Sequence, residues 1–62
     1  MQALRRINNN VVLCRDSSGR ELIAMGKGIG FGTFPRELAL SEIERTFYDT
    51  DEKYQQLVAE LP

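Results

Sequence analysis

Three groups of residues in this chain carry side chains suited to recognition or catalysis. Asn8, Asn9 and Asn10 stand together near the start. Further on, Gly26-Lys27-Gly28-Ile29-Gly30-Phe31-Gly32-Thr33 sets a glycine at every second position around one lysine and one phenylalanine. Glu42 and Glu44 form a close pair of carboxylates. An asparagine amide both donates and accepts hydrogen bonds, which suits the reading of base edges. Lys27 and Arg5 offer phosphate contacts, Phe31 offers a stacking face, and glycines let a backbone partner come close. Single-stranded loops and bulges of RNA are recognised through this combination of stacking, hydrogen bonding and shape. Each residue type also has an ordinary structural use, as an asparagine turn, a glycine bulge or a core aromatic.

Several kinds of chemistry are excluded. There is no histidine, so Ser-His and Cys-His nucleophilic pairs cannot form. Cys14 is the one cysteine, which rules out an internal disulfide and a tetrahedral zinc site of N and S ligands. The glycine run fails the phosphate-loop patterns on spacing. A G-x-G-x-x-G begun at Gly26 meets Phe31 where glycine is required, and begun at Gly28 it meets Thr33. The P-loop form needs Ser or Thr after Gly-Lys, where Gly28 stands. Too little chain surrounds Glu42 and Glu44 to build a pocket that would push two carboxylate pKa values apart, so they read as a solvated acidic face. Cys14 lies in an apolar run and reads as a small core residue. The expectation is a binding module, not an enzyme, with no cofactor.

The scaffold that must hold these residues is small. Sixty-two residues, 42% hydrophobic and 27% charged, make one globular domain. A core of that size is marginal, and with disulfides and zinc excluded, self-association is the remaining aid. Net charge is −1, yet residues 1–36 carry six basic side chains against two acidic, and residues 37–62 carry two against seven. The basic part invites a polyanionic partner. A lone cysteine without a signal-like run points to a reducing, cytoplasmic setting. No stretch approaches the ~18 consecutive apolar residues of a membrane span.

Turn signals divide the first part into strands. Residues 2–7, 10–15 and 20–25 read as an antiparallel meander, joined by a turn at Asn8-Asn9 and by Asp16-Ser17-Ser18-Gly19. In the second strand Val11 and Leu13 lie on one face and Val12 and Cys14 on the other. In the third, Leu22 and Ala24 alternate with Ile23 and Met25. Both faces are apolar, whereas a meander with one wet face alternates with polar residues. A symmetry-related copy would cover the second face. Read as extended chain, the glycine run puts its glycines on one side and Lys27, Ile29, Phe31 and Thr33 on the other. Residues 36–40 read as loop, Ser41–Glu44 as one helical turn capped by Ser41, and Arg45–Tyr48 as the last strand. Tyr54, Leu57, Val58 and Leu61 share one helical face, with Asp49 or Thr50 as cap.

The segment Ile7-Asn8-Asn9-Asn10-Val11-Val12, followed by Met25-Gly26-Lys27-Gly28-Ile29-Gly30-Phe31, resembles the RNA-binding (CAT) domain of the bacterial co-antiterminator family, the BglG, SacY and LicT group. Ile43-Glu44-Arg45-Thr46-Phe47 resembles the I-E-x-x-F end of that domain. The resemblance covers residues 1–48. It implies an all-β fold, a small four-stranded antiparallel sheet active as a symmetric dimer, with a short C-terminal helical extension. It implies binding to an RNA hairpin in an mRNA leader, which prevents intrinsic termination of a sugar-utilisation operon. By position, RNA contact falls on Asn10, Gly26, Lys27, Phe31, Arg5 and Asn8. Where the family often has basic residues after Phe31, this chain reads Gly32-Thr33-Phe34-Pro35. Residues 49–62 are expected to be a linker and the start of a downstream regulatory domain. Through such regions, members of the family respond to the sugar phosphotransferase system. The alternatives are a small dimeric β-domain for protein–protein interaction and, disfavoured by spacing, a nucleotide-enzyme fragment.

Overall fold

Apolar side chains on both faces of the two middle strands decide the architecture. The computed structural model describes residues 1–61. Five strands, β1 (Gln2–Asn8), β2 (Val11–Arg15), β3 (Glu21–Met25), β4 (Arg36–Glu37) and β5 (Arg45–Tyr48), form one sheet in the order β4-β1-β2-β3-β5. Every pairing is antiparallel. A helix, α1 (Glu52–Val58), follows the last strand. No helix among the described residues is long and apolar enough to cross a membrane.

One face of the sheet carries Ala3, Val12, Cys14, Leu22 and Ala24, roofed by Ile29, Leu38, Phe34 and Ile43 from the long β3–β5 connection. The other carries Ile7, Val11, Ile23 and Phe47 and is covered by α1 through Leu57, with Tyr54 and Val58 beside it. The alternation read in β2 and β3 is therefore correct. The expectation that a second copy must cover the second face is not: the chain lays its own helix there. Burial of each large aliphatic side chain, such as Leu22, Ile23 or Leu38, contributes roughly 1.5–3 kcal/mol. Cys14 is fully buried, and burial pushes its thiol up to about 11, so it is an inert core residue.

Four further expectations need correction. The sheet has five strands instead of four, because Arg36–Glu37, inside the stretch read as loop, pairs with Gln2 and Ala3 at the free edge of β1. Two residues are too few to show a period of two. The glycine run is not extended; residues 27–30 form a turn, with Gly28 at φ 72° and Gly32 at φ 102°. Turning separates Ile29, which is buried, from Phe31, which is exposed. The single 3-10 turn spans Leu40–Glu42 and starts from Ala39, whose N–H is met by the Glu42 carboxylate, so Ser41 is not its cap. Asp51, one residue beyond the expected positions, caps α1 by accepting from the Lys53 N–H at 3.0 Å.

Candidate nucleic-acid interface

The end of the sheet where β1 turns into β2 and β3 runs into the glycine turn gathers most of the recognition residues. Val11 pairs with Met25 and Met25 with Arg45, so three chain segments finish side by side there. The Asn9-Asn10 turn closes the β1–β2 hairpin with no non-glycine residue at positive φ. The asparagines thus act through side-chain hydrogen bonds and not through tolerance of left-handed backbone. Asn8 Oδ1 accepts from the Asn10 N–H at 2.9 Å, an Asx turn.

The two turns are stitched together. Gly26 N–H donates to the Asn10 carbonyl at 3.0 Å, and Gly30 N–H to the Asn9 carbonyl at 2.9 Å. Gly28 N–H donates to Asn10 Oδ1 at 2.8 Å. A Cβ on Gly30 would overlap the Asn8 carbonyl oxygen, and a Cβ on Gly26 would overlap the Glu42 carbonyl oxygen. Those two glycines are required by the protein's own packing. Gly28 is required by its backbone angle.

This stitching fixes the chemistry of Asn10. A backbone N–H can only donate, so the atom facing Gly28 must be the amide oxygen. The NH2 of Asn10 is the half left for a ligand. Asn10 therefore presents donors and not the donor–acceptor pair read from its type alone. Asn8 is more committed still, since its amide nitrogen donates to Glu60 Oε1 at 3.3 Å.

Asn10, Met25, Gly26, Lys27, Glu44 and Arg45 line a shallow hollow of about 300 Å³. A second hollow, lined by Arg6 to Asn10, shares Asn10 with it. Lys27, Arg45, Arg6 and Arg5 form no ion pair among the described residues. Arg45 lies over the Phe47 ring, 5.1 Å from its centroid. Phe31 stands 59% exposed beyond Lys27, its N–H donating to the Gly28 carbonyl at 3.2 Å. Cationic and amide donors thus face solvent beside an aromatic ring, an arrangement that takes up phosphate and base acceptors and stacks a base.

Asn10, Gly26 and Lys27 are brought into one hollow, with Phe31 on the adjoining turn. Asn8 is close but engaged. Arg5 is not gathered: it pairs with Leu13, on the face that carries α1, because the strand bulges between Ala3 and Arg5. Arg45, Arg6 and Glu44 line the hollows and were not singled out by sequence as contacts. Arg45 had no local signal, because its place depends on β5 pairing with β3. No group of three or more His, Cys, Asp or Glu among the described residues could hold a metal ion.

A family model described as "CAT RNA binding domain" matches residues 1–56. Among solved structures, the LicT bacterial antiterminator protein in complex with its RNA target is similar, with a TM-score of 0.71 and 30% identity. That likeness covers 86% of this chain and 98% of the other. No curated protein sequence matches.

Proposed function

This chain belongs to the CAT RNA-binding domain family, and we propose that it is the RNA-binding module of a transcriptional antiterminator. It holds an antiterminator hairpin in an mRNA leader and so prevents intrinsic termination of a sugar-utilisation operon. The observation that carries this reading is the donor-only Asn10 beside unpaired Lys27 and Arg45, with exposed Phe31 on the same turn. Asn10 meets an acceptor on the RNA, Lys27 a phosphate, and Phe31 an unstacked base. Gly26 serves by keeping the floor of the hollow low. Asn8 serves by orienting Asn10, and Arg5 contributes long-range attraction. The module is non-enzymatic and cytoplasmic. It works as a homodimer, which the small core of so short a chain supports. Residues 49–62 lead toward a regulatory region that answers to the sugar phosphotransferase system.

Titration with bulged RNA hairpins from the leader of its own operon, at two salt concentrations, tests the reading. Affinity should fall steeply as salt rises. Binding that ignores salt, or that prefers protein partners, would overturn it. Sedimentation equilibrium at micromolar concentration checks the dimer, and a stable folded monomer would refute that part.

A further inference from the structure

Glu44 is an anomaly on this surface. It is an exposed carboxylate on the wall of a hollow otherwise lined by Asn10, Lys27 and Arg45, where a polyanion is expected to sit. A negative charge there opposes binding, and nothing about the sheet core requires it, since Glu44 packs in neither apolar cluster. Its hydrogen bonds explain its presence. Glu44 Oε2 accepts from the Lys27 backbone N–H at 3.1 Å, and its own N–H donates to the Met25 carbonyl at 2.8 Å. Two residues earlier, the Glu42 carbonyl fills the space beside Gly26. Residues 42–44 therefore clamp the start of the glycine turn from one side, while Asn9 and Asn10 clamp it from the other.

The carboxylate takes the main-chain N–H of Lys27 and makes no ion pair with the Lys27 ammonium. That division matters. An ion pair would neutralise the lysine, whereas a bond to its N–H fixes the backbone and leaves the ammonium free.

We infer that Glu44 is a positioning residue for RNA binding: it locks the Lys27 backbone so that Lys27 and Asn10 face the ligand together. This inference rests on the RNA-binding reading above. It makes a prediction opposite in sign to simple electrostatics. Removing an acidic side chain beside a phosphate site should strengthen binding; removing this one weakens it.

Glu44→Ala and Glu44→Ser both delete the acceptor and the charge, whereas Glu44→Gln keeps an amide oxygen in place and deletes only the charge. Titrated with the same leader hairpin, the first two should bind about 3- to 10-fold more weakly, the usual worth of one such hydrogen bond. Glu44→Gln should bind as tightly as the parent or more tightly. In the free protein, amide exchange at Lys27 should speed up in the Ala and Ser variants and stay slow in Gln, while β2 and β3 amides hold their protection. If Ala, Ser and Gln all bind more tightly, Glu44 acts by charge alone and the inference falls. If all three bind like the parent, or if Lys27 exchange is unmoved by Glu44→Ala, it also falls. A parent chain that binds no hairpin would refute the RNA reading instead, and the exchange result would still decide whether Glu44 holds the turn.

Discussion

At the end of the sheet where the 16–20 turn joins β2 to β3, the charged groups have partners. Arg20 donates to Asp49 at 2.9 Å and lies over the Tyr48 ring, 4.2 Å from its centroid. Asp16 accepts from Ser18, from the Arg20 N–H and from the Tyr48 hydroxyl. Arg15 meets Glu21, and the N-terminal amine meets Glu37. At the opposite end, Lys27, Arg45 and Arg6 have no carboxylate partner among the described residues. The acidic groups there accept instead from main-chain or amide N–H groups: Glu44 from Lys27 and Glu60 from Asn8. One end spends its charges on tying strands together. The other spends only its main chain and its amide oxygens on structure, and leaves cations and an amide NH2 free. A surface that must bind a polyanion has to be built this way, because an internal ion pair would have to break before each contact formed.

Asn10→Asp tests this division most severely. The substitution is isosteric, and the carboxylate can still accept from the Gly28 N–H at its present 2.8 Å. Only the outward NH2 changes, from donor to anion. RNA affinity should fall by ~100-fold or more, since a donor is lost and a repulsive charge is gained. The melting temperature should move little. A large loss of stability would show that Asn10 is as structural as Asp16, and the contrast between the ends would collapse.

Phe31→Ala comes next. Stacking of a base on an aromatic ring is worth roughly 1–3 kcal/mol, so binding should weaken about 10- to 100-fold. The ring is 59% exposed, which leaves the fold nearly indifferent to its removal. A Phe31→Ala protein that stays folded and binds the hairpin like the parent would remove Phe31 from the site.

Lys27→Ala should act more gently and differently. Losing one phosphate contact lowers the slope of log affinity against log salt by about 0.7–0.9. Binding to all hairpins should weaken by a similar factor, because a phosphate contact carries no sequence information. A change confined to one hairpin sequence would mean that Lys27 reads a base.

The parts of the molecule visible in the sequence are those whose signal is local. β-branched runs and turn residues announce β1, β2 and β3, and the spacing of Tyr54, Leu57 and Val58 announces α1. The glycine run was misleading because a period of two fits a strand as well as it fits coincidence. Two of its glycines are there because the carbonyls of Asn8 and Glu42, distant in sequence, press against them. The placement of Asn10, Gly26 and Lys27 in one hollow was legible through the paired motifs. Arg45 was not, since only the β3–β5 pairing brings it alongside Met25. Arg5 was misplaced by strict alternation, which cannot register the bulge after Ala3. The polarity of Asn10 was invisible for a similar reason: its oxygen is claimed by a residue on another turn.

The smallest expected effect on RNA binding lies at the paired end, and there it should be absent. Hydrogen bonds from Ser18, with others from Tyr48 and Arg20, hold the Asp16 carboxyl at about 2, below its ordinary 3.8. The Arg20 hydrogen bond likewise holds Asp49 below the usual range. A carboxylate with a depressed folded-state pKa contributes stability that is fully present above its unfolded value. That contribution is lost as pH falls from about 3.8 toward 2, where the folded form also takes up its proton. Thermal melts of the parent should therefore drop through this window. Asp16→Asn cannot titrate but keeps an oxygen for the Ser18 and Arg20 N–H groups, so its melting temperature should fall less steeply over the same range. Asp16→Asn with Asp49→Asn should flatten the acid limb further. At neutral pH neither variant should alter hairpin affinity, provided the protein is folded, because these side chains lie at the end of the sheet remote from Asn10. A neutral-pH affinity change in a folded Asp16→Asn protein would mean that the two ends are coupled through the sheet, and the separation of holding charges from binding charges would fail.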